Sequence, residues 1–450
     1  MSEIKNTKQE ILTGSARLFG QDKKPFDRVN YMVDNMHLNK AYVYQSKKTD
    51  IDKSQLLNNF KEEYKNYRDR WVNISNLYSN KKILEENKKL DPPLSIDIET
   101  ASICDLACPH CSREYIVTPD KIMNFEFYKN IVDEAASLKV PSIKLNWRGE
   151  PLLNPQLEKF VKYAKQMGIL EVSINTNAVT LTEKRSRKLI EAGLDVIIFS
   201  FDGGTKKTYE KMRPGRFHNN QFDQVYENIK KFSEIKKEMN SMFPITKIQM
   251  ILTKDTKNEK ENFFSLFSEI LDDVTVTQYN ERGGSINDLS DEERKIIKDY
   301  YSKNNIKEEL PYMVNINGEI SISKSRKPCE QIYQRLMITY NGRVGMCCHD
   351  WGAQHGIGFA SENAFKNDKT EFLKVKEKIE NKKKGFELLK DAVMPTNFNE
   401  PHHKVETLSE IWNGKELNKV RKLHCNKKVD DVAVCKNCTF KDTYEWKKIN

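Results

Sequence analysis

The sequence of 450 residues lacks any apolar run long enough to cross a membrane. A spanning helix needs roughly 18 consecutive apolar residues, whereas the longest apolar stretch, at residues 196–199, is only long enough for the core of a strand. The N-terminus is polar and contains lysines, so it does not resemble a signal peptide. These absences predict a cytoplasmic protein without a membrane partner.

Cysteine is absent between Cys111 and Cys329, although the chain has nine cysteines. Three lie within residues 104–111, and the other six lie beyond residue 328. In a reducing compartment, clustered thiols are more often metal ligands than disulfides. This distribution predicts two separate metal sites.

A stripe of basic and aromatic residues is also lacking, and no known nucleic-acid-binding module is evident. The net charge of +10 is spread along helix faces rich in lysine and glutamate, for example at residues 374–384. Such a diffuse excess is typical of a solvated surface. We therefore expect no nucleic-acid partner, while an anionic substrate remains compatible with the charge.

The pattern that is present is an alternation of short β-branched runs with amphipathic segments between residues 92 and 280. The candidate strands are 94–98, 143–147, 170–175, 195–200, 246–252 and 273–278. The candidate helices between them are 125–138, 157–166, 183–192, 223–236 and 261–271. Parallel neighbours need crossovers of this length, so the pattern predicts an α/β fold, a partial (β/α)6 barrel similar to a TIM barrel.

Four domains or segments are expected along the chain. Residues 1–90 form a helical N-terminal extension, 91–280 the barrel, 281–325 a linker or insertion, and 326–450 a small cysteine-rich domain. The linker contains a probable helix at 291–301 and a turn at Asn317-Gly318. In the last domain, Asn341-Gly342 predicts a β-hairpin, residues 361–400 a helical insertion, and residues 408–423 one final helix.

Three cysteines, Cys104, Cys108 and Cys111, follow the first predicted strand. Three thiolates on one tight loop can bind three irons of a cubane cluster and leave the fourth iron open. A structural zinc site completed by His110, or three buried free thiols, are the alternatives.

Polar motifs also follow the next three predicted strands. They are Trp147-Arg148-Gly149-Glu150-Pro151, then Asn175-Thr176-Asn177, then Ser200-Phe201-Asp202-Gly203 with Arg213 downstream. Ligands bind at the carboxyl ends of parallel strands in α/β folds. We therefore expect these motifs and the cysteine loop to share one site.

In this order, the cysteine loop and the strand-end motifs resemble the radical S-adenosylmethionine (SAM) superfamily. The resemblance implies that a [4Fe-4S] cluster held by the three cysteines reductively cleaves bound SAM to a 5′-deoxyadenosyl radical. A flavodoxin- or ferredoxin-type protein would supply the electron. The resemblance also implies the residues that contact SAM. Gly149, Glu150 and Pro151 would bind its amino group, and Ser200 and Arg213 its carboxylate and ribose. Asn175 and Asp202 would lie nearby, and His110 would lie beside the adenine. Arg148 stands where the first glycine of the family's GGEP element is commonest.

The C-terminal cysteines resemble the SPASM or twitch extensions of radical SAM enzymes. The resemblance implies one auxiliary [4Fe-4S] cluster with Cys329, Cys347, Cys435 and Cys438 as ligands. Tyr444 stands where a full SPASM element would place a further cysteine, so a second auxiliary cluster is not expected. A zinc ribbon that uses the same four thiolates is the alternative.

Cys348 and Cys425 are left over, as alternative cluster ligands, as plain buried thiols or as catalytic donors of a hydrogen atom. The same resemblance favours an oxidoreductase or epimerase that acts on a sugar, an aminocyclitol or a similar small polar molecule. A peptide or protein maturase and a non-catalytic iron-sulfur or zinc scaffold are the competing functions.

Overall fold

The computed structural model describes most of the chain, and the statements below concern these residues only. They are residues 17–19, 26–78, 90–111, 113, 118–278, 290–307, 310–314, 319–326, 328–350, 353, 355–366, 404–436, 438, 440 and 444–450. The predicted turn at Asn317-Gly318 and most of the predicted insertion at 361–400 lie outside them.

A ten-stranded sheet dominates the structure, in the order β1-β7-β6-β5-β4-β3-β2-β10-β11-β12. Its strands are β1 (Arg17–Phe19), β2 (Ser95–Ile98), β3 (Ser142–Lys144), β4 (Glu171–Thr176), β5 (Val196–Ser200), β6 (Ile245–Leu252), β7 (Asp273–Gln278), β10 (Arg335–Ile338), β11 (Arg343–Gly345) and β12 (Gly356–Phe359). Strands β2 to β7 are parallel neighbours in chain order. The predicted α/β fold with six parallel strands is confirmed. The barrel is partial because β1 pairs with β7 at one edge and β10 pairs with β2 at the other.

Helices connect the parallel strands. They are Phe125–Ser137, Leu157–Gln166, Glu183–Ala192, Lys206–Met212, Phe222–Glu238 and Lys260–Phe267. Five of them match the predicted helices, and the short helix Lys206–Met212 lies in the segment before Arg213. Each crossover buries one apolar face against the sheet, as Leu157, Phe160 and Val161 do in the second helix. Because both faces of the sheet are covered, β2 is buried along its whole length.

The described part of the N-terminal region packs against the amino ends of the barrel strands. Its helices are Arg28–Asp34, Lys40–Gln45 and Lys53–Tyr78. The Asn39 side chain donates to Asp195 Oδ1 at 2.8 Å, just before β5, and the Tyr64 hydroxyl donates to Glu171 Oε2 at 2.8 Å, at the start of β4. This region therefore forms a floor at the end of the barrel opposite the cysteine loop.

The predicted hairpin is confirmed, since β10 and β11 pair on either side of Asn341-Gly342. Gly342 has a φ of +97° and packs against Ser361, so a side chain at this position would be both strained and obstructed. Because β10 adds to the sheet beside β2, the hairpin joins the cysteine-rich region to the edge of the barrel.

The prediction of one final helix is wrong, because two helices, Leu408–Trp412 and Lys415–Cys425, occupy this segment. Gly414 adopts an extended backbone as the N-cap of the second helix, which breaks the run. The remaining described helices are Asp291–Lys303, Gln331–Gln334, Asn363–Lys366 and Ala433–Lys436, with short 3₁₀ turns at Met36–Leu38, Pro151–Leu153 and Val429–Asp431.

The predicted linker contributes to a second, three-stranded sheet. Its strands β8 (Tyr312–Val314) and β9 (Ile320–Arg326) are antiparallel, and β9 also pairs with the C-terminal strand β13 (Tyr444–Lys448). The linker and the C-terminus are thus structurally joined. Across the described part of the chain, the length and apolar character needed to span a membrane are found in none of the helices.

Candidate active site

The four motifs that the sequence placed after strands β2 to β5 meet at the carboxyl ends of those strands. Asn175 lies within the last two residues of β4 and Ser200 ends β5, while Cys104 and Glu150 lie on the loops after β2 and β3. The cysteine loop is held in place by backbone hydrogen bonds from Ala107 to Pro214 and from Arg216 to Asp105. The loop after Arg213 and the cysteine loop therefore form one continuous rim.

Gly149 packs directly on the backbone that leads into Cys104. Its φ is +69°, and a Cβ atom there would collide with the carbonyl oxygens of Ala101 and Ile103. The next residue, Glu150, donates its backbone N–H to the Ile103 carbonyl at 2.8 Å. Glycine is therefore required for the two loops to approach each other so closely.

The Glu150 carboxylate is buried and accepts three hydrogen bonds. They come from the Thr176 hydroxyl at 2.6 Å, the Asn177 backbone N–H at 2.8 Å and the Leu152 backbone N–H at 3.0 Å. Burial, and secondarily the nearby Asp105 carboxylate, raises the pKa of Glu150 to about 7. Two neighbouring buried carboxylates make this a place where a cation is favourable.

Asp105 is a site residue that motif analysis missed. The Asn177 amide donates to its Oδ1 at 2.6 Å, while Oδ2 is buried without a hydrogen-bond partner among the described residues. The available signal was its position between Cys104 and Cys108. Burial, reinforced by Glu150, raises the pKa of the Cys104 thiol well above its usual range, so a positive partner is needed to keep this thiol ionised.

Asp202, His110 and Arg213 form a buried cluster beside Cys108. Arg213 Nη2 lies 2.6 Å and His110 Nε2 3.3 Å from Asp202 Oδ2, and the Ile251 backbone N–H donates to Asp202 Oδ1. Although burial alone would raise it, Arg213 and His110 hold the pKa of Asp202 well below its usual range. Asp202 thus fixes the orientation of both residues that were predicted to contact SAM.

Asn175 Oδ1 and Arg213 Nε, like Asp105 Oδ2, are buried without a hydrogen-bond partner in the described part of the structure. Unpaired buried polar atoms are costly, and an acceptor and a donor at the carboxyl ends of β4 and β5 match a ligand with hydroxyl and carboxylate groups. Ser200 is half-buried at the end of β5, and Pro151 begins the 3₁₀ turn after Glu150.

Arg148, at the position where the family commonly has glycine, has a structural partner. Its guanidinium makes a bidentate pair with Glu99, with N···O distances of 2.6 and 2.9 Å, and both side chains are buried. Glu99 Oε2 also accepts the backbone N–H of Tyr340 in the C-terminal hairpin. Arg148 therefore connects the Gly149-Glu150 turn to the hairpin. The Arg148–Glu99 pair was not predicted from the sequence.

The cysteines predicted to hold the auxiliary cluster lie near one another. Burial is the largest cause that raises the thiol pKa of each of them. A neighbouring cysteine raises it further: Cys438 acts on Cys329, and Cys348 acts on Cys347. Cys438 also acts on Cys435, whose pKa rises to about 12. For Cys438, Cys348 adds to the effect of burial. Four thiols grouped in this way, three of them on buried residues and Cys329 on a half-buried one, fit a metal site that would ionise them.

Among the described residues, no three His, Cys, Asp or Glu side chains are close enough together to hold a single metal ion. Both an iron-sulfur cluster and a zinc ion accept four thiolate ligands.

The two leftover cysteines have different surroundings. The Cys348 carbonyl accepts the Trp147 indole N–H at 3.4 Å, and its thiol lies 3.4 Å from Gln331 Oε1. Cys348 thus lies between the Gly149-Glu150 turn and the C-terminal cysteines. Cys425 ends the helix Lys415–Cys425, with its thiol 3.5 Å from the Tyr333 hydroxyl, and the structure does not group it with the residues predicted to bind SAM.

Residues 98–266 match the family model of the Radical SAM superfamily. Among curated proteins, the chain is similar to a probable GTP 3′,8-cyclase of Methanothermobacter marburgensis, with 36% identity over 26% of this chain and 38% of that protein. It is also similar to the PqqA peptide cyclase of Rhizobium meliloti, with 32% identity over 27% of this chain and 32% of that protein. The matches thus span well under half the length of either relative.

Among solved structures, the fold is similar to the crystal structure of BtrN in complex with AdoMet and 2-DOIA. The sequence identity is 16% and the TM-score 0.41, with 78% of this chain and 94% of that chain covered.

Proposed function

We propose, because residues 98–266 match the family model of the Radical SAM superfamily, that the protein binds SAM at the carboxyl ends of β2 to β5 and removes a hydrogen atom from a small polar substrate. The observation that supports this most directly is the set of unpartnered buried atoms there, Asp105 Oδ2, Asn175 Oδ1 and Arg213 Nε, beside the buried Glu150 carboxylate with its raised pKa. Cys104, Cys108 and Cys111 would hold the first cluster. When bound, the clusters and SAM supply hydrogen-atom abstraction at the first site and an electron acceptor at the second.

The residues of the chain have separate roles in this proposal. Glu150, supported by Asp105, binds the ammonium of SAM as a buried anion. Arg213 donates from its Nε to the carboxylate of SAM, because Asp202 pairs with Nη2 of the same guanidinium and leaves Nε available. Asn175 accepts a hydrogen bond from a ribose hydroxyl, and Gly149 keeps the backbone close to the cysteine loop.

The position of the C-terminal cysteines favours oxidation or epimerisation of a sugar, an aminocyclitol or a similar molecule. Oxidation of a carbinol to a carbonyl removes two electrons and two protons, so after loss of one hydrogen atom one electron needs an acceptor and one proton a base. Cys347 and Cys348 follow a hairpin that pairs with β2, and Trp147 contacts Cys348. An electron acceptor bound by the C-terminal cysteines would therefore lie next to the SAM site. Cys348, and less directly Cys425, are the candidate hydrogen donors if the product is instead an epimer.

A peptide substrate is the second candidate, supported by the similarity to a peptide cyclase. The described N-terminal helices offer it little support, because they pack at the amino ends of the strands, opposite the proposed SAM site. We therefore place the small polar substrate first and a flavodoxin- or ferredoxin-type protein as the electron donor.

The test is SAM cleavage under anaerobic conditions, with the protein reconstituted with iron and sulfide and given dithionite. We expect 5′-deoxyadenosine from the unaltered chain, none from Cys104→Ala, and residual cleavage without substrate turnover from Cys435→Ala. Glu126→Gln, which alters an exposed carboxylate paired with Lys129, is the control. If even the unaltered chain makes no 5′-deoxyadenosine, this proposal is wrong and the protein is better described as a non-catalytic iron-sulfur or zinc scaffold. If the Cys104 and Cys435 variants lose cleavage equally, the second site has a structural role.

A further inference from the structure

His424 lies against two of the four C-terminal cysteines and uses both ring nitrogens. Its side chain is buried on the helix Lys415–Cys425. Nδ1 lies 3.1 Å from the backbone nitrogen of Cys329, and Nε2 lies 3.4 Å from Cys435 Sγ. One imidazole therefore contacts residues from two distant parts of the sequence that are proposed to hold the same cluster.

These two contacts determine which nitrogen carries the proton. A backbone N–H can only donate, so Nδ1 of His424 must accept from Cys329 and cannot carry a hydrogen. The hydrogen of the neutral ring is then on Nε2, where it faces Cys435 Sγ. The arrangement is a buried N–H···S hydrogen bond with a fixed tautomer.

Arg326 lies on the same side of the site, where its guanidinium also pairs with Asp430 at 3.5 Å. Its Nη1 donates to the Cys435 carbonyl at 2.5 Å, and its guanidinium lies over the Tyr444 ring at 4.9 Å. The Tyr444 hydroxyl in turn donates to the Cys438 carbonyl at 2.8 Å. Tyr444 thus supports Cys438 from the position where a longer extension would have a cysteine.

We infer that His424, through its hydrogen bond to Cys435 Sγ, is a positioning residue that raises the reduction potential of the C-terminal cluster. The inference rests on the proposed function, because it requires a cluster at these cysteines. A cluster gains negative charge when it accepts one electron, and hydrogen bonds to its sulfurs stabilise that charge. A higher potential would suit this site to accept an electron from a substrate radical.

The experiment uses the full chain with Cys104, Cys108 and Cys111 all changed to alanine, so that only the C-terminal cluster contributes. Iron is counted first, and the midpoint potential is then measured by titration followed by electron paramagnetic resonance. We expect His424→Leu to lower the equilibrium constant for reduction about tenfold, which is about 59 mV for a one-electron couple. His424→Gln should lower this equilibrium constant by less, because the glutamine amide can donate to the same sulfur.

His37→Leu, a change at an exposed histidine of the floor, is the control and should leave the potential unchanged. Four irons per chain with the same potential in His424→Leu would overturn this inference and leave the auxiliary cluster intact. The lack of iron in the triple-alanine chain would instead remove the proposed cluster, and the inference with it.

A second measurement does not depend on whether the His424 variants assemble a cluster. In the triple-alanine chain labelled with ¹⁵N-histidine, pulsed electron paramagnetic resonance of the reduced cluster should show coupling to one histidine nitrogen and to one exchangeable proton. If neither coupling is found, the Nε2–H···Sγ bond is absent and the inference is wrong.

Discussion

The two ends of the barrel contain similar buried polar residues but differ in how these are satisfied. At the floor, Lys165 Nζ bonds to Asp195 at 2.7 Å and to the carbonyls of Ile169 and Leu170. Asp195 also accepts from the Val172 backbone and from Asn39. This Lys165–Asp195 network is closed within the protein, although Arg28 Nε and Arg68 Nε elsewhere in the floor are buried without a hydrogen-bond partner among the described residues.

At the other end, the network is left open. Asp105 Oδ2, Asn175 Oδ1 and Arg213 Nε are buried without hydrogen-bond partners among the described residues, and the pKa of Glu150 is raised. A closed buried network contributes to stability and specificity, whereas an open one is costly unless a ligand completes it. The contrast between these two networks supports the proposed position of the cofactor at the carboxyl ends.

The largest effect that this contrast predicts is on stability at the floor. Asp195→Ala leaves the Lys165 ammonium buried without its counter-ion, so we expect a loss of about 3–5 kcal/mol in the free energy of unfolding. Urea unfolding of the apoprotein followed by circular dichroism measures it. The double variant Lys165→Met/Asp195→Ala removes the orphan charge and should be more stable than the single variant. If the two are equally destabilised, the ion pair is not the cause.

At the open end, Glu150→Gln should act on SAM binding much more than on folding. A hydrogen bond to a charged group contributes about 1.5–3 kcal/mol, so we expect SAM to bind roughly 10- to 100-fold more weakly. Removal of one of two neighbouring buried carboxylates should leave the unfolding free energy within about 1 kcal/mol. Equilibrium binding of SAM to the reconstituted protein, with Glu126→Gln beside it, checks this. Unchanged affinity would move the ammonium site away from Glu150.

The sequence was informative about the open end and almost silent about the floor, for a physical reason. Cys104, Gly149, Glu150 and Ser200 each lie in a short motif directly after a strand, so local patterns identify them. Asn39 and Asp195, by contrast, are 156 residues apart. Contacts between such distant residues leave no local period.

The same reason explains the Arg148–Glu99 pair, whose members belong to loops after different strands. The break between the last two helices is a different case, because Gly414 is a local signal that could have ended the first helix. Strand positions were predicted well because β2 to β7 combine β-branched runs with crossovers of regular length.

The pH dependence of the floor is the next test of the comparison. Burial alone would raise the pKa of Glu171, but Arg28, at 2.5 Å, and Arg68 outweigh it and lower that pKa below its usual value. A lowered carboxyl pKa gives stability that is present above about pH 4.5 and is lost as the pH falls through the folded-state value.

We therefore expect the stability gap between the unaltered chain and Glu171→Gln to shrink as the pH falls below about 4.5. Urea unfolding of both proteins from neutral pH to well below pH 4 measures the gap. A gap that is constant, or that widens in acid, would show that the ionised form of Glu171 does not stabilise the floor.

The smallest expected effects come from a pair of identical substitutions at opposite ends. Asn39→Ala removes hydrogen bonds to Asp195 and to the Leu170 carbonyl, both of which keep Lys165, and leaves the Ala41 backbone N–H without its side-chain acceptor. It should therefore destabilise the fold by about 1–3 kcal/mol and leave SAM affinity unchanged. Asn175→Ala removes an Oδ1 that has no partner among the described residues. It should leave stability unchanged or slightly increased and weaken SAM binding about 2- to 10-fold, as expected for one neutral hydrogen bond. Unfolding and SAM binding measured on both variants give four values. If Asn175→Ala destabilises the protein as much as Asn39→Ala, the carboxyl end is as closed as the floor and the distinction between the two ends fails.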